Sequence, residues 1–575
     1  MKYNYRFLNY VGDTAFENRF ATPDEMKAML TCVDISDADG ADVPTGGMPF
    51  ISDTKTIYGD TQDYHTLILG STGSMKSRTL ILPTIYTLAL AGENLIIADP
   101  KGELYDFTSG FLAKRGYTVN VLNLRDMKRS DCWNPLGEAW TLFHNGEEEA
   151  GLNLAYELIN SLTDRIADSK SPSWGIAAKQ LLNGLVELMI RGAKSISECN
   201  VGSLSTMLDR VKVADQSIGY YDPDLDEEIT FLEFVNRLPE GCSLKNNLFS
   251  AVNMCRTATT TLAGVLDCAY GAVSAFTTSR ALMAVTSHNT FDVHELARPD
   301  QKHAIFLIVP DEDTTYHFIA TSFVKQIYNT MIKESFKLPG GAIPRRLNFI
   351  LDEFANLPKI PDMPSMITAA RSRNMRFFLV VQSNNQLRAT YKEDAETIKT
   401  NCLNWVYLAT KEDELIQQIQ RMLGVRGNGS NEPLMSYQEL SSLRKVIGKK
   451  GGAEALILMH RCRPFVSFMP DISRYEQFGR FPAIEMPVTD GQFQFFDLNK
   501  RCLSNEWNDI LRIYVGIVED NNEEPEEDAE EEKPLDPFDK IAEAKDEETP
   551  PEKKSSPLMS LDELLKKLKD EDDDD

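Results

Sequence analysis

The segment YHTLILGSTGSMKSRTLILP, Tyr64–Pro83, decides the reading of this chain. An apolar run of strand length turns through glycine and serine and then enters a stretch of helical character. A buried strand that feeds a Gly-rich turn and a helix is the form of a phosphate-binding loop, whose backbone N–H groups and helix N-terminus face an anion. The pattern G-x-x-x-x-G-K-[ST] is met at Gly70, Lys76 and Ser77; Met75 stands where the second glycine belongs, and Gly73 lies inside the loop. Gly70, Ser71, Thr72, Gly73, Ser74, Met75, Lys76 and Ser77 are therefore the expected nucleotide-binding set. Lys76 is placed to reach the β- and γ-phosphates of ATP, and the Ser77 hydroxyl to hold Mg²⁺. At Met75 three outcomes stay open: weaker nucleotide binding, slower hydrolysis, or no effect where the local φ is negative.

Outward from this segment, short apolar runs alternate with helical stretches: NLIIADP and YTVNVLNL follow it, and HAIFLIVP, LNFILDEF, MRFFLVVQS and CLNWVYLAT come later. Continuous apolar strands separated by helices predict a parallel sheet covered on both faces. Between about Leu136 and Asn289 helical periodicity replaces the alternation, so an α/β domain split by an all-α insertion is expected. ALILMHRCRPFVSFM reads as a strand or hairpin with Pro464 at a turn or edge.

LNFILDEFANLP ends an apolar strand on Asp352 and Glu353. Such a strand delivers two carboxylates to the phosphate edge of the sheet, Asp352 for Mg²⁺ and Glu353 as general base toward water. Gln382 closes the strand MRFFLVV, where an amide can sense a γ-phosphate or orient the water, or simply begin a turn. Arg371 and Arg373 lie just before that strand and read either as an arginine finger reaching a neighbouring subunit or as a solvated pair. Asp99, Lys101 and Glu103, in IIADPKGELY, occupy a loop at the carboxyl end of a strand, where open α/β sheets bind ligands.

The chain has 575 residues and a net charge of −27, of which 519–575 carry −17 (25 acidic and 8 basic residues). A net-acidic body argues against a broad basic face that coats nucleic acid, but not against DNA gripped by loops inside a ring. The nine cysteines include no CxxC pair, and read as reduced thiols. No signal peptide and no apolar run of transmembrane length is seen, so the expectation is a cytoplasmic chain, peripheral at the membrane through a partner. The tail reads as disordered, with a short amphipathic helix over 560–569 capped by Ser560 and Glu563.

In order, GSTGSMKSRTLILP, IIADPKGELY, WNPL, LDEFANLP and FFLVVQSNNQL resemble the type IV coupling proteins, the TraG/TraD-like ATPases of conjugation and type IV secretion. SPSWGIAAKQLLNGL and EPLMSYQEL add to a likeness that covers roughly 60–480. The resemblance implies a RecA-like P-loop ATPase fold, with an N-terminal segment over 1–60, motor residues 61–138 and 296–518, an inserted all-α cargo-recognition domain over 139–295 and the tail beyond. It implies ATP and Mg²⁺, a homo-hexamer when active, with a monomer in isolation left open, and export of relaxase-bound single-stranded DNA and protein cargo. The other partners implied are the secretion channel or a membrane-anchor protein. Catalytic roles would fall to Glu353, Gln382 and Arg371 or Arg373, and metal binding to Ser77 and Asp352. Two alternatives stand beside this: a weakly hydrolysing cargo receptor, and a double-stranded DNA pump or helicase.

Overall fold

A computed structural model describes residues 18–36, 43–164, 172–222, 227–426, 431–478 and 481–498. The expected tail and its helix at 560–569 lie outside these residues. In chain order the strands are β1 (Thr31–Asp34), β2 (Met48–Ser52), β3 (Thr56–Asp60), β4 (Thr66–Leu69), β5 (Asn94–Ala98), β6 (Thr118–Asn123), β7 (Ser217–Asp222), β8 (Glu227–Thr230), β9 (His303–Ile308), β10 (Leu347–Leu351), β11 (Met375–Val381), β12 (Asn404–Tyr407), β13 (Lys445–Val446), β14 (Gly452–Leu458) and β15 (Phe465–Pro470).

The apolar runs become the centre of a ten-stranded sheet, ordered β13-β14-β12-β4-β11-β10-β5-β9-β6 with β15 on β14. From β12 to β6 every pairing is parallel, and β14 adds an antiparallel edge. Every residue of β4, β5, β9, β10, β11 and β12 is buried, as strands covered on both faces must be. Alternate residues feed different cores: Leu67, Leu69, Phe377 and Leu379 face one cluster, while Ile68, Phe378 and Val380 face the other. ALILMHRCRPFVSFM forms the β14–β15 hairpin, with Pro464 immediately before β15.

The first cluster runs on into the helical insertion between β6 and β9. Its long helices are Glu148–Asp164, Pro172–Gly192, Ser243–Thr257 and Thr259–Thr278. One antiparallel ribbon, β7–β8, interrupts the helices where periodicity suggested none. WNPL forms the root of the insertion. The buried Asn134 amide donates to the carbonyls of Ile196 (3.1 Å), Cys199 (2.8 Å) and Ser287 (3.2 Å), and Trp133 packs edge-on against Phe323.

Upstream of the central sheet, β1, β3 and β2 form a small antiparallel sheet, preceded by a helix at Pro23–Met29 that Thr22 and Glu25 close with a capping box. Downstream, residues 481–498 run as an extended strap. Thr489 donates to Met127, Gln494 accepts from Asn200, and Phe496 donates to Ser203, so the strap joins the sheet region to the helical insertion. Gly110 allows its approach, since a β-carbon there would lie 1.9 Å from the Pro482 carbonyl oxygen. Among the described residues no helix is long and apolar enough to cross a membrane.

Candidate active site

Parallel strands place their carboxyl ends along one edge, so β4, β11, β10 and β5 bring their following loops together. The loop after β4 is pinned on both sides: Gly70 N–H donates to Val381 and Ser71 N–H to Ala409. Within it Gly73 has φ +77° and Met75 φ +72°. The position where the pattern asks for glycine thus takes up the left-handed conformation that glycine adopts at no cost, and the methionine bears the strain. Of the three outcomes left open by the sequence, the one that needed a negative φ is removed.

The Lys76 ammonium folds back into the loop and donates to the carbonyls of Gly70 (2.6 Å) and Ser71 (3.2 Å). Burial pushes its pKa down, and the Asp352 and Glu353 carboxylates oppose that shift. Ser74 Oγ is buried and has no hydrogen-bond partner. A cation cupped by its own loop, beside an orphaned hydroxyl, is a cradle fitted to phosphate oxygens. The helix beyond begins with a π-turn over Ser77–Ile81, a form frequent at functional sites.

Ser77 Oγ lies 3.3 Å from Asp352 Oδ2. Burial pushes the Asp352 carboxyl up to about 6, with the Glu353 charge adding and Lys76 opposing. Asp99 lines a small cavity together with Ser77, Asp352 and Glu353, and burial pushes its carboxyl up to about 7, while the Tyr105 N–H opposes the shift. Among the described residues no group of three or more His, Cys, Asp or Glu side chains is arranged to hold a metal alone. A hydroxyl and one carboxylate fit Mg²⁺, which keeps water and phosphate oxygens in its remaining positions.

Glu353 follows β10 with φ +55°, a strained turn that aims its carboxylate across to β11. Gln382 Nε2 donates to it at 2.6 Å and Asn356 Nδ2 at 2.7 Å. Gln382 Oε1 in turn accepts from the exposed hydroxyl of Thr72 at 2.7 Å. Ser383 caps the next helix, Asn384–Tyr391, which holds Gln382 between strand and helix.

The structure therefore joins the phosphate loop, Asp352, Glu353 and Gln382 in one place. It sets Arg371 and Arg373 apart, before β11, a strand about 20 Å long. Arg371 pairs there with Asp63 at 3.0 Å and lies over Tyr64, and Arg373 lies over Phe336. Two contacts escaped the sequence reading. Asn356, three residues after Glu353, carried a signal in its spacing on a tight turn. Lys445, which donates to the Gly73 carbonyl at 2.6 Å from 372 residues away, carried none.

Residues 33–432 match the family described as Type IV secretory system Conjugative DNA transfer. Protein VirD4 of Rhizobium radiobacter is 23% identical over 362 residues, covering 63% of this chain and 48% of that protein. The conjugal transfer protein TraG of Escherichia coli is 23% identical over 355 residues, covering 59% and 51%. The chain thus spans about half the length of the curated relatives it matches. The plasmid coupling protein TrwB has the same fold. Its complex with the ATP analogue ADPNP superposes with a TM-score of 0.52 at 16% identity, over 82% of this chain and 98% of that one. TrwB with ADP and Mg²⁺ superposes at 0.51. With its ten-stranded sheet, inserted helices and paired phosphate and carboxylate loops, the chain belongs to the type IV secretory conjugative DNA-transfer family, the coupling proteins.

Proposed function

We propose that this chain is a coupling ATPase that binds ATP with Mg²⁺, recruits relaxase-bound single-stranded DNA or protein cargo, and drives it into a transfer channel as a homo-hexamer. The observation that supports this reading is the convergence of Lys76, Ser77, Asp352, Glu353 and Gln382 at the carboxyl edge of neighbouring strands. Lys76 exchanges its own loop carbonyls for β- and γ-phosphate oxygens. Ser77 and Asp352 hold Mg²⁺, which neutralises phosphate charge when bound. Glu353 takes the proton of the attacking water, and Gln382 fixes the carboxylate that does so. Arg371 and Arg373 lie at the opposite edge of the sheet from this chain's own loop, so the finger role we assign to Arg371 is exerted in a neighbouring subunit's site. Recruitment through an anchor or channel protein would place the chain at the inner face of the membrane.

The φ of +72° at Met75 favours a second reading, a cargo receptor in which nucleotide binding sets assembly and hydrolysis is slow. ATP hydrolysis by the purified chain separates the two, measured with and without single-stranded DNA beside Lys76→Ala, Glu353→Gln and Met75→Gly. DNA-stimulated turnover that disappears in the first two variants supports the motor. A silent wild type and an active Met75→Gly variant support the receptor, and turnover that survives Lys76→Ala refutes both.

A further inference from the structure

The helical insertion and the segment that follows Glu353 face one another across a cleft of about 700 Å³. Its walls are helix Glu148–Asp164 of the insertion, helix His317–Lys337 and residues 358–362. Leu154, Leu158, Trp133, Phe318, Pro358 and Pro361 make most of the lining apolar. One ammonium spans it. Lys325 Nζ lies 2.8 Å from Asp362 Oδ2, on the Glu353 side, and 3.8 Å from Glu157 Oε1, on the insertion side. Only 15% of the Lys325 side chain is exposed, so its charge must keep a carboxylate beside it. Two are within reach, and the hydrogen bond goes to Asp362.

Residues 353–362 are built to move as one piece. Both ends are left-handed, Glu353 with φ +55° and Asp362 with φ +59°. Between them Phe354 stacks on Tyr391, with ring centroids 5.1 Å apart. The Tyr391 hydroxyl accepts from Ile360 N–H at 3.2 Å, and the Ala355 carbonyl accepts from Thr390 at 3.0 Å. Pro358 and Pro361 remove two further backbone freedoms. A displacement at Asp362 is therefore carried to the turn at Glu353 and not absorbed on the way. Helix His317–Lys337, which supplies Lys325, is fixed to the insertion. Gln326 donates to the Pro135 carbonyl at 3.2 Å, and Phe318 packs edge-on against Phe276.

We propose that Lys325 is a positioning residue for Glu353, and that its choice between Asp362 and Glu157 lets the insertion set the rate of hydrolysis. With Lys325 on Asp362, the far end of the segment is anchored and the Glu353 carboxylate stays aimed at Gln382. A shift of helix Glu148–Asp164 that brings Glu157 closer transfers the ammonium and releases Asp362. The cleft leaves room for that shift. The two arrangements exchange one ion pair for another, so little free energy separates them and a small movement changes their populations. This rests on the reading of Glu353 as the base toward water.

The test is steady-state ATP hydrolysis paired with hydrogen exchange at the Ile360 amide of the nucleotide-free protein. The variants are Asp362→Asn, Glu157→Gln, Lys325→Met, Lys325→Arg and Glu353→Gln. The Asp362 and Glu157 side chains are 69% and 51% exposed, so neither amide replacement threatens the fold. Asp362→Asn and Lys325→Met are expected to lower kcat about fivefold or more, with KM for ATP within about twofold, and to speed Ile360 exchange. Glu157→Gln removes the competing carboxylate, so kcat should equal wild type or exceed it by up to about threefold, with exchange no faster. Lys325→Arg keeps the charge and should stay within about twofold of wild type. Equal losses in Asp362→Asn and Glu157→Gln would make Lys325 an ordinary ion pair between domains and overturn the inference. So would an unchanged kcat in Asp362→Asn or Lys325→Met, a change confined to KM, or a lower kcat without faster exchange. A wild type with no turnover, or turnover that survives Glu353→Gln, overturns the reading of Glu353 and this inference with it.

Discussion

Gln382 and Glu353, at the ends of adjacent parallel strands, lock one another: the amide nitrogen stands 2.6 Å from a carboxylate oxygen, and the amide oxygen accepts from Thr72. The carboxylate is thus oriented by one neighbour that also touches the phosphate loop, and by Asn356 from its own turn. Glu353→Gln is expected to lower kcat about 100-fold or more, and Gln382→Ala and Asn356→Ala about tenfold each, with KM for ATP within about twofold. Steady-state kinetics decide this, and a rise in KM at constant kcat would assign these residues to binding instead.

Asn134→Ala should be costly. The side chain is 1% exposed; it satisfies three carbonyls at the root of the insertion and accepts from Leu136 N–H. Its removal leaves buried acceptors unpaired, and a loss of about 2–3 kcal/mol is expected in urea denaturation.

His65 makes stability depend on pH. Its Nδ1 accepts the Phe377 N–H, so Nε2 carries the proton donated to the Ile367 carbonyl. Burial holds the ring at about 4, whereas an unfolded histidine titrates near 6.5. Between those values the unfolded chain takes up a proton that the folded chain refuses, so stability is lost as pH falls from 6.5 toward 4. A His65→Gln variant, which removes the titrating ring, should lose about 2 kcal/mol less than wild type between pH 7 and pH 5 in chemical denaturation.

The strain at Met75 can be isolated by comparing two truncations. Ala and Gly both remove the thioether, but only Gly relaxes a φ of +72°. Met75→Gly is expected to be about 1 kcal/mol more stable than Met75→Ala in thermal melts, and equal stabilities would show that the loop shifts to relieve the alanine.

Arg371 invites a mixing experiment. If its guanidinium serves the site of a neighbour, Arg371→Ala and Lys76→Ala proteins, each inactive alone, should recover activity when mixed, because some interfaces pair an intact loop with an intact arginine. Mixed samples that stay at the level of the single variants would confine Arg371 to its contacts with Asp63 and Tyr64.

The central sheet was legible because its strands are buried on both faces, and LNFIL or RFFLVV admits no other reading once turns flank it. The phosphate loop, Asp352, Glu353 and Gln382 were legible for the same reason, since strand ends fix where they lie. The N-terminal sheet was not: TCVD is mostly exposed, and its partner β3 is supplied by residues 56–60 across a turn-rich stretch. The strap at 481–498 has no periodicity to read, because side-chain and backbone contacts scattered over two domains hold it. The φ of Met75 was invisible because a pattern states which residue is usual, not what conformation an exception adopts. The remoteness of Arg371 from the loop followed only from knowing which end of β11 it precedes.

The position of β4 between β11 and β12 has a consequence for biosynthesis. Thr72 and its partner Gln382 are 310 residues apart in the chain. At ordinary rates of translation that interval takes roughly 15–60 s. Throughout it, the strand Thr66–Leu69, wholly buried in the finished fold, has left the ribosome with neither neighbour yet made, while the helical insertion is being completed. The central sheet therefore assembles last around its oldest strand, and the nascent chain is most exposed to aggregation before residue 407 emerges.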